Sequence, residues 1–107
     1  MTAWLALLIA IGFEILGTSF LKLSDGFEKL HWGGLSILFY YGSFFFLAPA
    51  IKVIPIGVAY AIWAGVGIVA VAIIGFFFFE QRLQVLQYIF IALILIGAVG
   101  LRLTTEA

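Results

Sequence analysis

The chain alternates long apolar runs with short polar breaks. Four apolar runs, roughly Ala3–Leu21, Trp32–Ile51, Ile56–Phe79 and Val85–Leu101, fill most of its 107 residues. Each is long enough to cross a bilayer as an α-helix, which takes about 20 residues. Between them stand "KLSDGFEKLH" (Lys22–His31), "KVIP" (Lys52–Pro55) and "EQRLQ" (Glu80–Gln84). Asp25-Gly26 is a turn signal. Pro55 suits a helix start, and Pro49 suits the end of the second run. Helices joined by so few residues run antiparallel to their neighbours. The pattern predicts an all-α membrane protein of four transmembrane helices, one domain over residues 1–107 ending in the polar tail "RLTTEA". No Lys or Arg precedes the first run and an acid interrupts it, so it reads as a span rather than a cleaved signal peptide.

Composition narrows the classes. The chain is 66% hydrophobic and only 9% charged, against about a quarter charged in soluble domains. It has no cysteine, so disulfides and thiolate metal sites are excluded, and neither metal nor cofactor is expected. A net charge of zero offers no basic surface to nucleic acid. Runs such as "FFF" and "FFFF" suit lipid and carry no chemical code. Basic residues set membrane orientation. Lys52 and Arg102 lie on the side of the termini and Lys22, Lys29 and Arg82 on the other, a nearly flat count that is compatible with insertion in both directions.

Glu14 is the one ionisable residue between Trp4 and Leu21, and it lies near the middle of its span. An acid at that depth costs roughly 3 kcal/mol on insertion scales, so intramembrane acids are read as functional. The alternative is a neutral acid that hydrogen-bonds helices together. Helical spacing places Ala10, Ile11, Gly17 and Thr18 beside it, with Leu7 and Leu21 extending the stripe. That face is mostly small, which leaves room for another helix or a ligand, while Phe13, Ile15, Leu16 and Phe20 point elsewhere. No Lys or Arg sits at mid-span in any run. A low dielectric disfavours a bare carboxylate, so Glu14 is suited to exchanging a proton for a cation brought from outside.

The other spans contribute aromatics and small residues. "GVAYAIWAGVG" puts Tyr60, Trp63 and Gly67 near one face. Aromatic faces attract cations and stack on flat hydrophobic ligands. Trp4 and Trp32 sit at span ends, as interfacial residues do. Gly65 and Gly67 allow the third helix to bend or pack closely. Tyr40 and Ser43 are mid-span polar residues, suited either to interhelical hydrogen bonds or to a site. The last span is nearly all aliphatic, with small residues at Gly97 and Gly100, and most simply packs on lipid or a second protomer.

Three stretches, "FEILGTSFLKLSDGF" (Phe13–Phe27), "PIGVAYAIWAGVGIV" (Pro55–Val69) and "EQRL" (Glu80–Leu83), together with Gly97, resemble the small multidrug resistance transporters. The resemblance runs along the whole chain. It implies a multi-pass protein of the bacterial inner membrane, assembled as a dimeric bundle, commonly with its two protomers inserted in opposite directions. It also implies that Glu14 binds both protons and cationic substrates, that Tyr40, Tyr60 and Trp63 line the site, and that the last helix (Leu93, Gly97, Gly100) makes the dimer contact. "ILGTS" after Glu14 is similar to the branch exporting quaternary ammonium and aromatic cations. The guanidinium-exporting branch usually has tryptophan where Gly17 stands, and a heterodimeric branch, some of it exporting polyamines, shares much of "GVAYAIW". Two positions depart from the family pattern. Trp4 replaces a common tyrosine, and Phe90 stands where a glycine often lies seven residues before Gly97.

The resulting expectation is a cofactor-free, non-enzymatic homodimer that exchanges small hydrophobic cations for protons at Glu14. Leu7, Ala10, Ile11, Gly17, Thr18, Tyr40, Ser43, Tyr60 and Trp63 would surround that residue, and Gly65 and Gly67 would serve as a bend. The alternatives are a guanidinium or polyamine exporter, a non-transporting subunit with Glu14 as glue, and a passive proton carrier.

Overall fold

The computed structural model describes residues 2–105, so the last two residues of the expected polar tail lie outside the described residues. Four helices follow one another: α1 (Ala3–Leu23), α2 (Leu30–Ala50), α3 (Ile56–Phe78) and α4 (Val85–Thr104). All four are long and apolar enough to span a membrane, and no strand occurs among the described residues. The all-α, four-span expectation therefore holds. The ends differ from the hydrophobic runs by one to three residues, because polar groups also complete helices. α1 continues through Lys22 and Leu23, where a cation favours the carbonyl end of the helix dipole. α4 runs on to Thr104, whose hydroxyl donates to the Gly100 carbonyl at 2.8 Å.

Contacts divide the chain into two units, Met1–Val53 and Ile54–Ala107. In the first, α1 starts at Thr2, whose hydroxyl accepts the Leu5 amide at 3.1 Å. The turn to α2 uses left-handed backbone at Asp25, Gly26 and Phe27, with φ of 52°, 69° and 68°. Ser24 holds this turn: its hydroxyl accepts the Phe27 amide at 3.0 Å and donates to the Leu21 carbonyl at 2.6 Å. The Phe27 ring then lies against Gly33, where a Cβ would stand 2.7 Å from a ring carbon. α2 buries Gly33, Ser36, Ser43, Leu47 and Ala50, a spacing of three, four or seven residues that marks one helix face. Hydroxyls on that face bond α1 in reverse order, Ser36 to Gly17 and Ser43 to Ala10, so the two helices are antiparallel.

Phe13 and Phe20, which lie beside the small stripe, also pack on α2. Phe13 stacks on Phe46 with centroids 5.5 Å apart and tilts against Phe39 at 5.5 Å. Phe20 lies 5.2 Å from Phe39 and 5.6 Å from Trp32. The "FFF" run is thus split: Phe44 and Phe45 are exposed, while Phe46 joins the helix contact.

In the second unit Pro55 precedes α3, and Gln84 and Gln87 cap α4 reciprocally. The helices cross where Gly65 meets Ala98, so closely that a Cβ on Gly65 would stand 2.7 Å from that of Ala98. At the turn, Glu80 has φ 55°, and the Gly75 carbonyl accepts the Phe79 and Gln81 amides at 3.1 and 2.9 Å. An apolar groove between the helices joins Val69, Ala72, Ile73, Phe76 and Phe77 of α3 to Tyr88 and Ile91 of α4; later residues of α3 thus meet early ones of α4 while Gly65 meets Ala98, so the two are antiparallel.

Candidate functional site

Glu14 is partly buried, and its Oε2 atom is closed off from the surface. Around it α1 presents Leu7, Ala10, Ile11 and Gly17, all buried, and the partly buried Thr18. This is the small face expected from the spacing, and it lies against α2. The contact is polar as well as close. Ser43 donates to the Ala10 carbonyl at 2.7 Å. In an α-helix that same carbonyl also receives the amide four residues on, which here is that of Glu14. On the other side of Glu14, the hydroxyls of Thr18 and Tyr40 share a hydrogen bond of 2.7 Å. Gly17 permits this approach: a Cβ there would be 3.3 Å from the Ser36 carbonyl oxygen and 3.4 Å from the Tyr40 ring.

The structure therefore brings Leu7, Ala10, Ile11, Gly17, Thr18, Tyr40 and Ser43 together on the Glu14 side of the α1–α2 unit. Tyr60 and Trp63 belong to the other unit. They are neighbours on α3, with ring centroids 6.4 Å apart and planes at 42°. Tyr60 is exposed and Trp63 partly buried. Gly67 packs on the Trp63 ring, from which a Cβ would be 3.8 Å. α3 is continuous through Gly65 and Gly67, and Gly65 serves as the close-packing point with Ala98.

The candidate dimer residues occupy an open face. Phe90, Leu93, Gly97 and Gly100 follow one another at helical spacing on α4 and are all exposed. A Cβ at Gly97 or Gly100 would meet nothing within 4 Å. Ala98 is the only buried residue of α4 among those described.

Ser36 was not among the residues the sequence singled out. It is fully buried, and its hydroxyl donates to the Gly17 carbonyl at 2.8 Å. The signal was present in the steps Gly33, Ser36, Tyr40, Ser43 and Leu47, which place Ser36 on the same face as the two residues that were chosen.

Chemically, the α1–α2 unit offers one carboxyl group in an apolar, small-walled setting bordered by hydroxyls already engaged with one another or with backbone. Among the described residues no cluster of His, Asp and Glu is arranged to hold a metal ion. A carboxyl so placed is chemically able to take up or release a proton or to meet a cation.

Comparison with known proteins bears on that reading. A family model described as Small Multidrug Resistance protein matches residues 2–94. The uncharacterized membrane protein YvaE of Bacillus subtilis is 48% identical over 100 residues, covering 94% of this chain and 84% of its own. The quaternary ammonium compound-resistance protein QacE of Escherichia coli is 41% identical over 107 residues, covering 100% and 97%. A putative ethidium bromide resistance protein of Escherichia coli is 41% identical over 95 residues, covering 89% and 83%.

Proposed function

This chain belongs to the Small Multidrug Resistance family, and on that premise we propose that it is a homodimeric antiporter exporting lipophilic and quaternary ammonium cations against inward proton flow. As a member with four spanning helices it is a multi-pass protein of the bacterial inner membrane. The observation that carries the proposal is the placement of Glu14, the one ionisable residue of the mid-span region of α1, in a small-walled setting against α2. Relatives named for resistance to quaternary ammonium compounds and to ethidium support the substrate class. Both kinds of compound carry a fixed positive charge on an apolar body. A carboxylate answers the charge, and aromatic rings such as Tyr60 and Trp63 suit the body.

Two Glu14 carboxyls, one from each protomer, then form one site and titrate as a pair. Protons and cation compete for it, and alternating access comes from helices rocking around a mid-membrane site. The exposed Phe90, Leu93, Gly97 and Gly100 stripe of α4 supplies an apolar face for the second protomer. The flat distribution of basic residues supports a pair with opposite orientations.

The test is cation-driven proton release from the purified protein. Tetraphenylphosphonium is a suitable probe because it has no titratable group, so any proton released comes from the protein. The wild type is expected to release protons on binding, and Glu14→Gln, which keeps size and hydrogen bonding, to release none and to lose coupled transport. Uphill transport by Glu14→Gln would contradict the proposal and favour a neutral Glu14 that only joins helices.

A further inference from the structure

We propose that Ser36 is a positioning residue for Glu14, holding the α1 backbone in the register on α2 at which the carboxyl binds its cation; this rests on the reading of Glu14 given above. Ser36 lies within a helix long and apolar enough to span the membrane. A hydroxyl there needs an acceptor, and the nearest is the carbonyl of its own helix, four residues back. Ser19 takes that option and donates to Ile15 at 2.9 Å, and Thr104 does the same with Gly100. Ser36 and Ser43 do not. Both are buried, and both reach across to α1, Ser36 to Gly17 and Ser43 to Ala10.

The two acceptors bracket Glu14, at four residues before it and three after it. They lie on one helix face, so sliding or rotating α1 on α2 breaks both bonds at once. Each hydroxyl would then fall back on a carbonyl of its own helix, as Ser19 does, and the bond tying α2 to α1 would be lost. Ser36 also sits at a close approach of the helices, because its own carbonyl oxygen would stand 3.3 Å from a Cβ on Gly17. One residue thus combines a close backbone contact with a hydrogen bond, directly beside the Thr18–Tyr40 pair. Ser36 need not touch the cation. It acts on Glu14 through the Gly17 backbone.

The groups that accompany Glu14 in this unit are few. Tyr40, with its hydroxyl on Thr18, is the titratable side chain that α2 brings to the Glu14 stripe, whereas His31 and Tyr41 of α2 are exposed. Lys22, Asp25, Glu28 and Lys29 are exposed at the connecting turn or the helix end beside it. A change in proton release after altering Ser36 would therefore report on Glu14.

The experiment measures proton release and tetraphenylphosphonium affinity across a pH series, with the full chain in lipid nanodiscs. Ser36→Ala is expected to move the midpoint of proton release by about half a pH unit or more, equivalent to a threefold change in proton affinity. Cation binding should weaken about three- to tenfold, the range by which losing one hydrogen bond lowers the population of a competent geometry. Ser36→Thr keeps the hydroxyl and should stay near wild type. Ser19→Ala, which removes a bond within one helix, should match wild type. If Ser36→Ala does not fold, Ser36→Cys carries the same test, because it keeps the volume with a much weaker donor. Curves for Ser36→Ala that superimpose on wild type, or equal losses in Ser36→Thr and Ser36→Ala, would overturn the assignment. A wild type that releases no proton would overturn the reading of Glu14 and this inference with it. Release by the wild type with an unshifted Ser36→Ala curve would overturn only the role of Ser36.

Discussion

The two helix pairs of this chain are built on different principles. α1 and α2 are joined by hydroxyls: Ser36 and Ser43 to α1 carbonyls, and Tyr40 to Thr18. α3 and α4 are joined by small and apolar side chains, with Gly65 pressed on Ala98 and a groove of Val69, Ala72, Ile73, Phe76 and Phe77 alongside. In a bilayer, apolar packing gains no hydrophobic driving force, because lipid tails are as apolar as the helices, and it rests on close fit. Hydrogen bonds between helices specify register. The pair that carries Glu14 has them, and the pair that carries the exposed α4 stripe relies on shape.

That contrast can be broken at its open face first. Gly97→Leu adds bulk where a Cβ meets nothing in the chain itself, so each protomer should keep its helices while dimers and transport are lost. Cross-linking and circular dichroism check this together. Retained transport by a Gly97→Leu dimer would remove α4 as the interface. The next effect is at the crossing of α3 and α4. Gly65→Ala drives a Cβ to 2.7 Å from that of Ala98, and overpacking of this kind costs about 1–3 kcal/mol. Adding Ala98→Gly should recover most of that loss in a denaturation series, which identifies the contact as steric.

Smaller effects sharpen the comparison. Trp63→Leu should weaken flat aromatic cations by about 1–2 kcal/mol, and small aliphatic ones less, if the ring meets the cation face. Equal losses in the two classes would make Trp63 a packing residue. Ser43→Ala removes one interhelical hydrogen bond and should cost about 0.5–1.5 kcal/mol of stability. Gly12→Ala, on α1 of the same helix pair but with nothing within 4 Å of the new Cβ, should be neutral or mildly stabilising. Comparable losses in both would mean that the hydroxyl bond does not hold the pair together.

Much of this was legible in the sequence for a simple reason. Spans are set by the length of uncharged runs, and the four helices fall where those runs do. Glu14 stood out because an acid at mid-span is expensive, and its small neighbours followed from helical periodicity. Ser36 was passed over because one serine in an apolar run says little until its partner is known. Its bond goes to a backbone carbonyl, and every residue carries one, so no residue type on α1 announced the contact. The aromatic contacts of Phe13, Phe20, Phe39 and Phe46 were hidden for a related reason. Phenylalanine suits lipid and helix contact equally, and only the rotation of α2 decides that Phe46 packs inward while Phe44 and Phe45 face out.

Competition between proton and cation for Glu14 is measured by tetraphenylphosphonium binding in a calorimeter across a pH series. Affinity should tighten as pH rises through the range in which the paired carboxyls lose their protons, then level off, and Glu14→Gln should abolish the pH dependence. An affinity that is flat across that range, or a pH dependence that survives Glu14→Gln, would contradict it.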